Sequence, residues 1–549
     1  MRALLVHAQS PRTYWSYHFA LPYAGKAAAL PPLGLATLAA LLPARWELRL
    51  VDLNVEPLRD EDLGWADAVL VSGMLVHADS MRTVLRRAGA LGKRTVVGGP
   101  APTTSPLLFS EADHVFRGEA EGRLELLVAA LEDPGVPAPR VLSPPTTGDA
   151  ARPDLRTAPA PRYDLLQLDR YASLSVQLSR GCPFQCEFCD IVEVFGRVPR
   201  LKSAGQILGE LEALYRLGAR GSLFFVDDNF IGNRRAVKDL LPLLATWQEE
   251  HGHPFDLYTE ASLDLAGEPE LLAAMVQAGF SAVFVGIETP SRQALAEAGK
   301  RQNLRLDLAE AVRVLTRAGL EVMAGFIVGF DADREDIFDR QLAFIGESAV
   351  PRAMAGVLTA LPGTALWRRL EREGRLRCAA TGDQFERPNF EPSMEERALL
   401  VGYRRLLAAL YTDEAFYGRC ERHLEEAAFP GGGAVTPGWP ATLLRAALGI
   451  GLAGRRRARF WRLLAKGAAR GRRGFARAVT LAVLGEHMIR YTEEVALPRL
   501  DAALATLETA AGVRSTAIAS TVTVKTHLPR ALNPGAITHR VSEDARPLA

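Results

Sequence analysis

The chain has 549 residues, of which 48% are hydrophobic and 23% are charged. This composition is typical of a folded protein of about three domains and excludes a mainly disordered or collagen-like chain. The 65 Lys and Arg residues nearly balance the 64 Asp and Glu residues, so no strong net charge attracts nucleic acid or an acidic partner.

The first 132 residues alternate between strand-like and helical patterns. The strand-like runs are Ala3–His7, Glu47–Leu53, Ala68–Ser72, Thr95–Val97 and Val115–Phe116, and the helical patterns are Leu33–Leu42, Ser80–Leu91 and a helix from Glu121. This alternation predicts a Rossmann-like α/β domain whose ligand lies beyond the carboxyl ends of the strands. No GxGxxG motif joins the first strand and helix, which argues against a dinucleotide.

Residues 133–168 are rich in proline and are predicted to form a linker. Strand and helix patterns then alternate again over 169–378. The predicted strands are Leu174–Leu178, Ser222–Val226, Asp256–Thr259, Ala282–Ile287, Glu321–Val328 and Ala353–Thr359, and the predicted helices are 203–217, 233–249, 268–278, 290–299, 305–318 and 333–347. Six tandem βα units predict a partial (β/α)6 barrel of the TIM type, with its active site at the carboxyl ends of the strands.

Residues 379–512 lack strand patterns and are predicted to form a helical domain. Ser393 and Glu396 have the spacing of a capping box at the start of its first helix. The polar residues 513–549 are predicted to be a flexible tail. The first residues lack the features of a signal peptide, and no run approaches the roughly 18 uncharged apolar residues of a spanning helix. A cytoplasmic location is therefore expected.

Three of the five cysteines form one motif. Cys182, Cys186 and Cys189 have the spacing CxxxCxxC. Three thiolates on one loop can ligate three irons of a [4Fe-4S] cubane and leave the fourth iron open for a substrate or cofactor. A structural zinc site needs four ligands, and no second cysteine pair is present. The remaining cysteines, Cys378 and Cys420, are predicted to lie in helical segments without a partner motif.

With Phe188 before its last cysteine, this segment resembles the radical S-adenosylmethionine (SAM) superfamily, and the resemblance covers roughly 170–365. It implies that the three cysteines hold a [4Fe-4S] cluster whose open iron binds SAM. It also implies a set of SAM-binding residues, which are Phe188, Asp228, Glu260, Glu288, Gly325 and Ile327.

Other interpretations of these side chains stay open. Asp228 could cap a helix, Glu260 could be an acid at the barrel rim, and Glu288 could brace a loop. Gly325 and Ile327 could belong to an ordinary buried strand.

The N-terminal domain resembles the cobalamin-binding domain that precedes the barrel in one radical SAM class. The residues that the resemblance assigns to cobalamin lie at the ends of predicted strands, and they are Ser72, Gly73, Gly98, Gly99, Gly118 and Glu119. Glycine at such turns lets the backbone approach a ligand closely. The sequence departs from other cobalamin proteins in lacking DxHxxG, since His77 has no aspartate two residues earlier. The resemblance therefore implies a cobalt whose lower face is free or bound to water, with a vestigial domain as the alternative.

Residues 180–376 are especially similar to the hopanoid carbon-2 methylase and its relatives. The similar stretches are 180–190, 226–233, 299–303, 323–330 and 361–367. This resemblance implies a cobalamin-dependent radical SAM C-methyltransferase that acts on an unactivated carbon of a hopanoid-like lipid or a natural product. Reduced flavodoxin or ferredoxin is the implied electron donor. A radical step needs no general base, so no His or Tyr is nominated as catalytic.

Two other functions stay open. One is a radical rearrangement or cyclisation in which cobalamin is not the methyl donor, and the other is a non-catalytic cobalamin-binding regulator. Methylthiotransfer is disfavoured, because the chain lacks cysteines for a second cluster.

Residues 455–477 carry ten basic side chains and no acidic one, and they follow the apolar stretch 441–454. The segment 441–477 is a candidate for contact with the inner face of a membrane. A solvated Arg-rich helix and a nucleic-acid patch are the alternatives, and no nucleic acid is expected.

Overall fold

The computed structural model describes residues 1–133, 135–143, 152–429 and 438–508. The tail predicted over 513–549 and the middle of the predicted linker, 144–151, lie outside the described residues.

The N-terminal unit is a parallel sheet covered by helices, as the alternating pattern predicts. Its strands are β1 (Arg2–His7), β2 (Glu47–Asp52), β3 (Ala68–Ser72), β4 (Arg94–Gly98), β5 (His114–Phe116) and β6 (Val141–Leu142). Its helices are α1 (Leu21–Ala24), α2 (Leu33–Leu41), α3 (Asp60–Trp65), α4 (Ala78–Ala90), α5 (Pro100–Thr104) and α6 (Glu125–Glu132). Strand β6 lies within the predicted linker, which therefore contributes an edge strand to the sheet.

The strand order β2-β1-β3-β4-β5-β6 reverses direction between β1 and β3. In open α/β sheets such a switch point creates a crevice at the carboxyl ends of the strands, where ligands bind. His7 pairs with Ser72 at this edge, so the segments that follow β1 and β3 flank the crevice.

The second unit is an open half-barrel. Its strands are β7 (Leu174–Val176), β8 (Ser179–Arg180), β9 (Arg200–Leu201), β10 (Gly221–Phe225), β11 (Phe255–Glu260), β12 (Phe280–Glu288), β13 (Glu321–Val328) and β14 (Arg352–Val357). Its helices are α7 (Ile191–Phe195), α8 (Ala204–Arg216), α9 (Arg234–Glu250), α10 (Pro269–Gln277), α11 (Arg292–Glu297), α12 (Leu308–Ala318), α13 (Ile337–Glu347) and α14 (Ala365–Arg372). Six parallel strands have the order β7-β10-β11-β12-β13-β14, and β8 and β9 form a separate hairpin pair. The prediction of a partial barrel is confirmed.

Alternation along the barrel strands separates an outer face from an inner face. Leu223 and Phe225 of β10 are fully buried in the core shared with the helices. Phe224, between them, faces the barrel interior and stacks on Tyr258 of β11, with ring centroids 4.6 Å apart. Glu260, two residues after Tyr258, shares that inner face at the carboxyl edge. The strand pattern therefore directs an acidic side chain toward the place where a barrel active site forms.

The C-terminal unit is helical, as predicted. It contains α15 (Glu396–Leu410), α16 (Asp413–Glu426), α17 (Trp439–Ala446), α18 (Arg457–Ala469) and α19 (Gly471–Tyr491), together with π-helical turns at Ala447–Leu452 and Thr492–Ala496. Residues 497–508 are also helical.

Two local predictions in this region are wrong. Helix α15 is capped by Glu395, whose carboxylate accepts hydrogen bonds from the backbone N–H groups of Arg397 and Ala398 at 3.0 and 2.7 Å. Ser393 instead donates its hydroxyl to Asp331 at 2.6 Å, because a carboxylate competes successfully with a backbone group for that hydroxyl. Cys378 lies in an irregular segment after α14, whereas Cys420 is buried within α16.

The segment between β1 and α1 joins all three units. Tyr14 packs against Tyr411 and Tyr491 of the helical unit, with centroids 5.5 and 4.6 Å away. His487 of α19 fixes the backbone of the same segment, since its Nδ1 accepts from Phe19 N–H at 3.3 Å. Trp15 packs on Phe284 of the barrel strand β12, with centroids 5.1 Å apart. This segment therefore bonds the first unit to both the barrel and the helical unit.

Candidate active site

The cysteine loop is held from both sides by backbone contacts. It begins at Gly181, where φ is +102° and a Cβ would lie 2.9 Å from the Gly196 carbonyl oxygen, so only glycine fits without strain. Within the loop, Cys189 N–H donates to the Cys186 carbonyl at 3.2 Å. Glu187 N–H donates to the carbonyl of Ala298, beyond β12, at 2.9 Å. The loop geometry is thus fixed by its surroundings.

The three cysteines of the motif are free thiols that are partly buried. Burial raises the pKa of each thiol, so a bound metal is needed to hold them as thiolates. Within the part of the chain that the structure describes, no three His, Cys, Asp or Glu side chains converge closely enough to hold one metal ion. A cubane places each thiolate on a different iron, so its ligands lie farther apart than those of a single ion. The donor set fits the cluster.

An acidic pocket lies beside the cysteine loop. Asp228, which follows β10, accepts a hydrogen bond from Gly181 N–H at 2.7 Å, and burial raises its pKa to about 6. Burial raises the pKa of Asp227 to about 7, although its carboxylate accepts from the Ser179 N–H and hydroxyl at 2.5 and 2.6 Å. Glu260 faces the barrel interior and has no hydrogen-bond or ion-pair partner among the described side chains.

The charge of this pocket suits a cationic ligand. Burial, together with the nearby charges of Asp228 and Asp227, raises the pKa of Glu260 to about 8. Buried carboxyl groups without a counter-ion are costly in their charged form, and an adjacent cation removes that cost. SAM carries a positive amine and a positive sulfonium, so Asp228 and Glu260 fit it chemically.

Glu288, at the end of β12, forms an ion pair with Lys300. Its φ is +65°, which is rare for a residue other than glycine, and the register of β12 against β13 shifts beside it. The pKa of Lys300 is raised despite burial, because the charges of Glu288 and Cys186 lie close to it. The carboxylate of Glu288 is therefore engaged by the protein, and its position beside the cysteine loop depends on Lys300.

The other predicted SAM contacts lie on the same side of the barrel. Phe188 packs against Phe330, with centroids 6.0 Å apart, and belongs to one hydrophobic cluster with Ile327. Gly325 lies in β13, and a Cβ there would lie 3.0 Å from the ring of Phe284. The glycine therefore makes room for an aromatic ring inside the barrel.

The residues predicted to bind cobalamin lie at the carboxyl edge of the first sheet. Gly99 has φ of +101°, and a Cβ on it would lie 2.5 Å from the Ser72 hydroxyl, so the two turns can meet only with glycine at this position. Gly98 pairs with Ser72 across β3 and β4. Gly118 N–H donates to Thr103 at 2.9 Å, and Gly73 lies against His77. Glycine at four of these turn positions lets the backbone approach a ligand closely, which fits a large planar ring.

His77 serves the structure of this edge. Its Nδ1 accepts from Met74 N–H at 2.9 Å, and its Nε2 donates to the Ser10 hydroxyl at 3.0 Å. Burial lowers its pKa to about 4. With both ring nitrogens engaged, His77 does not offer a ligand to cobalt, in agreement with the missing DxHxxG motif.

Glu119 differs from the other residues predicted for cobalamin. Arg180, two residues before Cys182, donates to Glu119 and to Glu121 at 2.8 Å each. Arg200 of β9 holds both oxygens of Glu119, at 2.8 and 3.0 Å. This buried group of charges, here called the interdomain ion cluster, ties the carboxyl edge of the first sheet to the cysteine loop. The carboxylate of Glu119 is therefore bonded to these arginines, and any effect of Glu119 on a ligand would be exerted through them.

Two apolar side chains remain exposed at the crevice. Trp15 and Met74 follow β1 and β3 and are 43% and 55% exposed.

Arg180, Lys300 and Trp15 are three residues of this region that were not predicted from the sequence. Arg180 and Lys300 both lie in stretches that are similar to the methylase family, but the predicted functional residues in those stretches were other residues. Trp15 carries no motif, and its contact with Phe284 joins residues that lie in different units.

Comparison with known proteins gives three family matches along the chain. A B12 binding domain matches residues 27–128, the Radical SAM superfamily matches residues 176–340, and a domain of unknown function matches residues 364–498.

Two curated relatives and one solved structure match most of the chain. An uncharacterized methyltransferase of Synechocystis sp. is 46% identical, covering 76% of this chain and 78% of the relative. The hopanoid C-2 methylase of Rhodopseudomonas palustris is 38% identical, covering 78% of this chain and 80% of the methylase. The cobalamin-dependent SAM radical enzyme OxsB, solved with aqua-cobalamin and SAM, has a TM-score of 0.55 at 16% identity, covering 92% of this chain and 83% of that one.

Proposed function

Since the chain belongs to the cobalamin-dependent radical SAM methyltransferases, we propose that it methylates an unactivated carbon of a polycyclic lipid of the hopanoid type. Its cofactors are a [4Fe-4S] cluster, SAM and cobalamin. The observation that carries the substrate class is the 38% identity to hopanoid C-2 methylase over 78% of the chain. The apolar Trp15 and Met74 at the crevice support a hydrocarbon substrate.

The roles of the site residues follow from their contacts. We propose that Cys182, Cys186 and Cys189 hold three irons of the cluster, and that Asp228 and Glu260 bind the positive groups of SAM. When bound, the cluster would supply the electron for reductive cleavage of SAM, and cobalamin would carry the methyl group. Phe188, Gly325 and Ile327 border the SAM site, and the crevice glycines border cobalamin.

The protein itself positions the reactants and excludes water. Arg180 and Arg200 of the second unit pair with Glu119, which follows β5 of the first unit, so the interdomain ion cluster links the two units at the carboxyl edge of the first sheet. We propose that the substrate carbon lies between the two cofactor sites, because coupling hydrogen removal to methyl transfer requires one carbon to be positioned against both. An external reductant supplies the electron, and we propose reduced flavodoxin or ferredoxin.

Anaerobic reconstitution with iron, sulfide, cobalamin and SAM tests this function. With reduced flavodoxin and a pentacyclic hopanoid, mass spectrometry should detect 5′-deoxyadenosine, S-adenosylhomocysteine and a product heavier by one methylene. The Cys182→Ala variant should form none of them. Formation of 5′-deoxyadenosine alone would instead support a rearrangement, and neither nucleoside product would support a cobalamin-binding regulator. Methylation of other apolar substrates but not of the hopanoid would contradict the proposed lipid class.

The segment 441–477 contacts a membrane, in our proposal, through apolar residues rather than through charge. Seven of the ten basic side chains in 455–477 bond to acidic or backbone groups of the protein, and they are Arg455, Arg456, Arg459, Arg462, Lys466, Arg470 and Arg477. The segment also carries a ridge of exposed leucines, Leu444, Leu448 and Leu452, which are 53–62% exposed at i, i+4 spacing. In the described part of the chain, no helix is long and apolar enough to cross a membrane.

Co-sedimentation with phosphatidylcholine vesicles tests this contact. Replacing Leu444, Leu448 and Leu452 by serine should release the protein into the supernatant. Replacing Leu107, an 87% exposed leucine of the first unit, by serine is the control and should leave binding unchanged. No sedimentation of the wild-type protein, or equal sedimentation of the triple variant, would remove the membrane proposal.

A further inference from the structure

The loop 299–303, with the sequence Gly-Lys-Arg-Gln-Asn, packs directly on the cysteine loop. Gly299 has φ of +71°, and a Cβ there would lie 2.9 Å from the Gln185 carbonyl oxygen. The preceding residue, Ala298, accepts a hydrogen bond from Glu187 N–H at 2.9 Å. Both contacts are with residues that flank Cys186, so the position of the 299–303 loop determines what surrounds that thiol.

A polar side chain of this loop reaches the thiol itself. Gln302 Nε2 lies 3.9 Å from Cys186 Sγ in donor geometry, a long N–H···S hydrogen bond. The loop is anchored by Asn303, which is 1% exposed and donates to the carbonyls of Gly286 and Ile287 at 3.1 and 3.2 Å. The amide of Gln302 is therefore held beside the sulfur by the end of β12.

The positive charge of Lys300 interacts with the same thiol. Lys300 is 9% exposed, and its ammonium pairs with Glu288 against the backbone of Gly286. A Cβ on Gly286 would overlap both charged groups, so this strand position is open for the ion pair. Cys186 therefore has the N–H donor of Gln302 beside it and interacts with both charges of the ion pair, more strongly with Lys300 than with Glu288.

We propose that the 299–303 loop raises the reduction potential of the cluster, with Gln302 donating to a cluster thiolate and Lys300 placing a positive charge beside it. Reduction adds one negative charge to the cluster, and both an N–H···S hydrogen bond and a nearby cation stabilise that charge. The proposal rests on the ligation by Cys182, Cys186 and Cys189 proposed above. It assigns to Lys300 and Gln302 a positioning and electrostatic role, because neither is a ligand of iron.

The test is an EPR-monitored redox titration of the full-length protein with its cluster reconstituted, in the absence of SAM. At the midpoint potential of the wild type, Gln302→Leu should lower the ratio of reduced to oxidised cluster by about three- to tenfold, tenfold being about 59 mV for one electron. Arg301→Gln is the matched control. Arg301 is exposed one residue away, so its loss should leave the midpoint unchanged.

Variants of the ion pair give shifts of opposite sign, which structural damage alone would not produce. Lys300→Met should lower the potential, and Glu288→Gln should raise it by leaving the lysine uncompensated. Should Lys300→Met fail to assemble a cluster, the Lys300→Met/Glu288→Gln double variant restores neutrality, and its midpoint should lie above that of Gln302→Leu.

Several outcomes overturn the proposal. Full iron content with an unmoved midpoint in Gln302→Leu would do so, as would shifts of the same sign in Lys300→Met and Glu288→Gln. Weaker SAM binding by Lys300→Met with an unmoved midpoint would reassign Lys300 to SAM. A wild-type protein without any cluster signal would refute the ligation itself, which separates the two failures.

Discussion

Replacing Arg180 by methionine tests the interdomain ion cluster. The Arg180 side chain is 12% exposed, and its partners Glu119 and Glu121 are 5% and 4% exposed. Removing one member of a buried ion pair costs about 3–5 kcal/mol, because the remaining charge is left without compensation. Glu119 keeps Arg200 in the variant, whereas Glu121 has no other ion pair among the described residues. The lower end of that range, about 3 kcal/mol, is therefore expected.

Urea unfolding followed by circular dichroism measures this loss. The Arg180→Met variant should unfold at a lower urea concentration with an unchanged slope. Adding Glu121→Gln should recover about 1–3 kcal/mol, because a buried amide is cheaper than an unpaired carboxylate. Arg156→Met is the matched control, since Arg156 pairs with Asp154 at the surface and its loss should leave the midpoint unchanged.

A loss below about 1 kcal/mol in Arg180→Met would refute the reasoning, as would a double variant no more stable than the single one. The first result would mean that water reaches the charges, and the second that the loss does not come from the uncompensated Glu121.

Three further predictions concern the cofactor sites. The cluster absorbance of reconstituted protein should be lost in each of the variants Cys182→Ala, Cys186→Ala and Cys189→Ala, and it should be kept in the control Cys420→Ala. A cluster in any of the first three variants would contradict the ligand assignment. Binding of SAM, measured by calorimetry, should tighten up to tenfold per pH unit between pH 6 and 8, because the cation binds the ionised form of Glu260, whose pKa is raised to about 8 when the site is empty. The Glu260→Gln variant should show a weaker pH dependence of SAM binding. A wild-type affinity that does not change with pH would argue against the contact. Gly99→Ala should lose cobalamin, measured by visible absorbance, but keep its iron, since the added Cβ would meet Ser72; normal cobalamin content would show that the turn adapts.

Glu260 also contributes, with Asp227 and Asp228, to the pH dependence of stability in the absence of ligand. A carboxyl group whose pKa is raised on folding binds its proton more tightly in the folded state. Its contribution is therefore fully present below the ordinary pKa of a glutamic acid, 4.5, and is lost as pH rises through about 8. The ionised carboxylate of Glu260 is unfavourable without a cation, so binding of the positively charged SAM would stabilise it.

Local patterns predicted the elements and the cysteine motif, because each depends on residues close in sequence. The run Ala68–Ser72 is a strand with the predicted bounds, since a buried parallel strand needs only a short apolar sequence. The prediction of a capping box at Ser393 is wrong because the contact that Ser393 makes is with a residue far away in the sequence. Its hydroxyl binds Asp331, 62 residues away, and nothing near Ser393 in the sequence indicates that acceptor.

Long-range contacts also changed the interpretation of charge. The basic segment 455–477 looks like a free positive surface in sequence, because its acidic partners lie elsewhere. Arg459 and Arg462 pair with Glu414 and Glu421 of α16, and Arg477 pairs with Glu321 of the barrel. Charge patterns in sequence indicate which groups need partners, whereas the tertiary fold determines which of them find one.

The link between the two cofactor edges shows why ions rather than apolar residues stand at this boundary. Apolar contacts are non-directional and allow the two packed surfaces to shift relative to each other. A guanidinium that donates hydrogen bonds to two carboxylates fixes both the distance and the orientation between them. Arg180 stands two residues before Cys182, and Glu119 stands in a turn at the cobalamin edge. An error of about 1 Å in the placement of reactants can cost about 10²-fold in rate, so a fixed distance at this boundary favours catalysis. Directional contacts at this boundary are therefore what a two-cofactor methyl transfer requires.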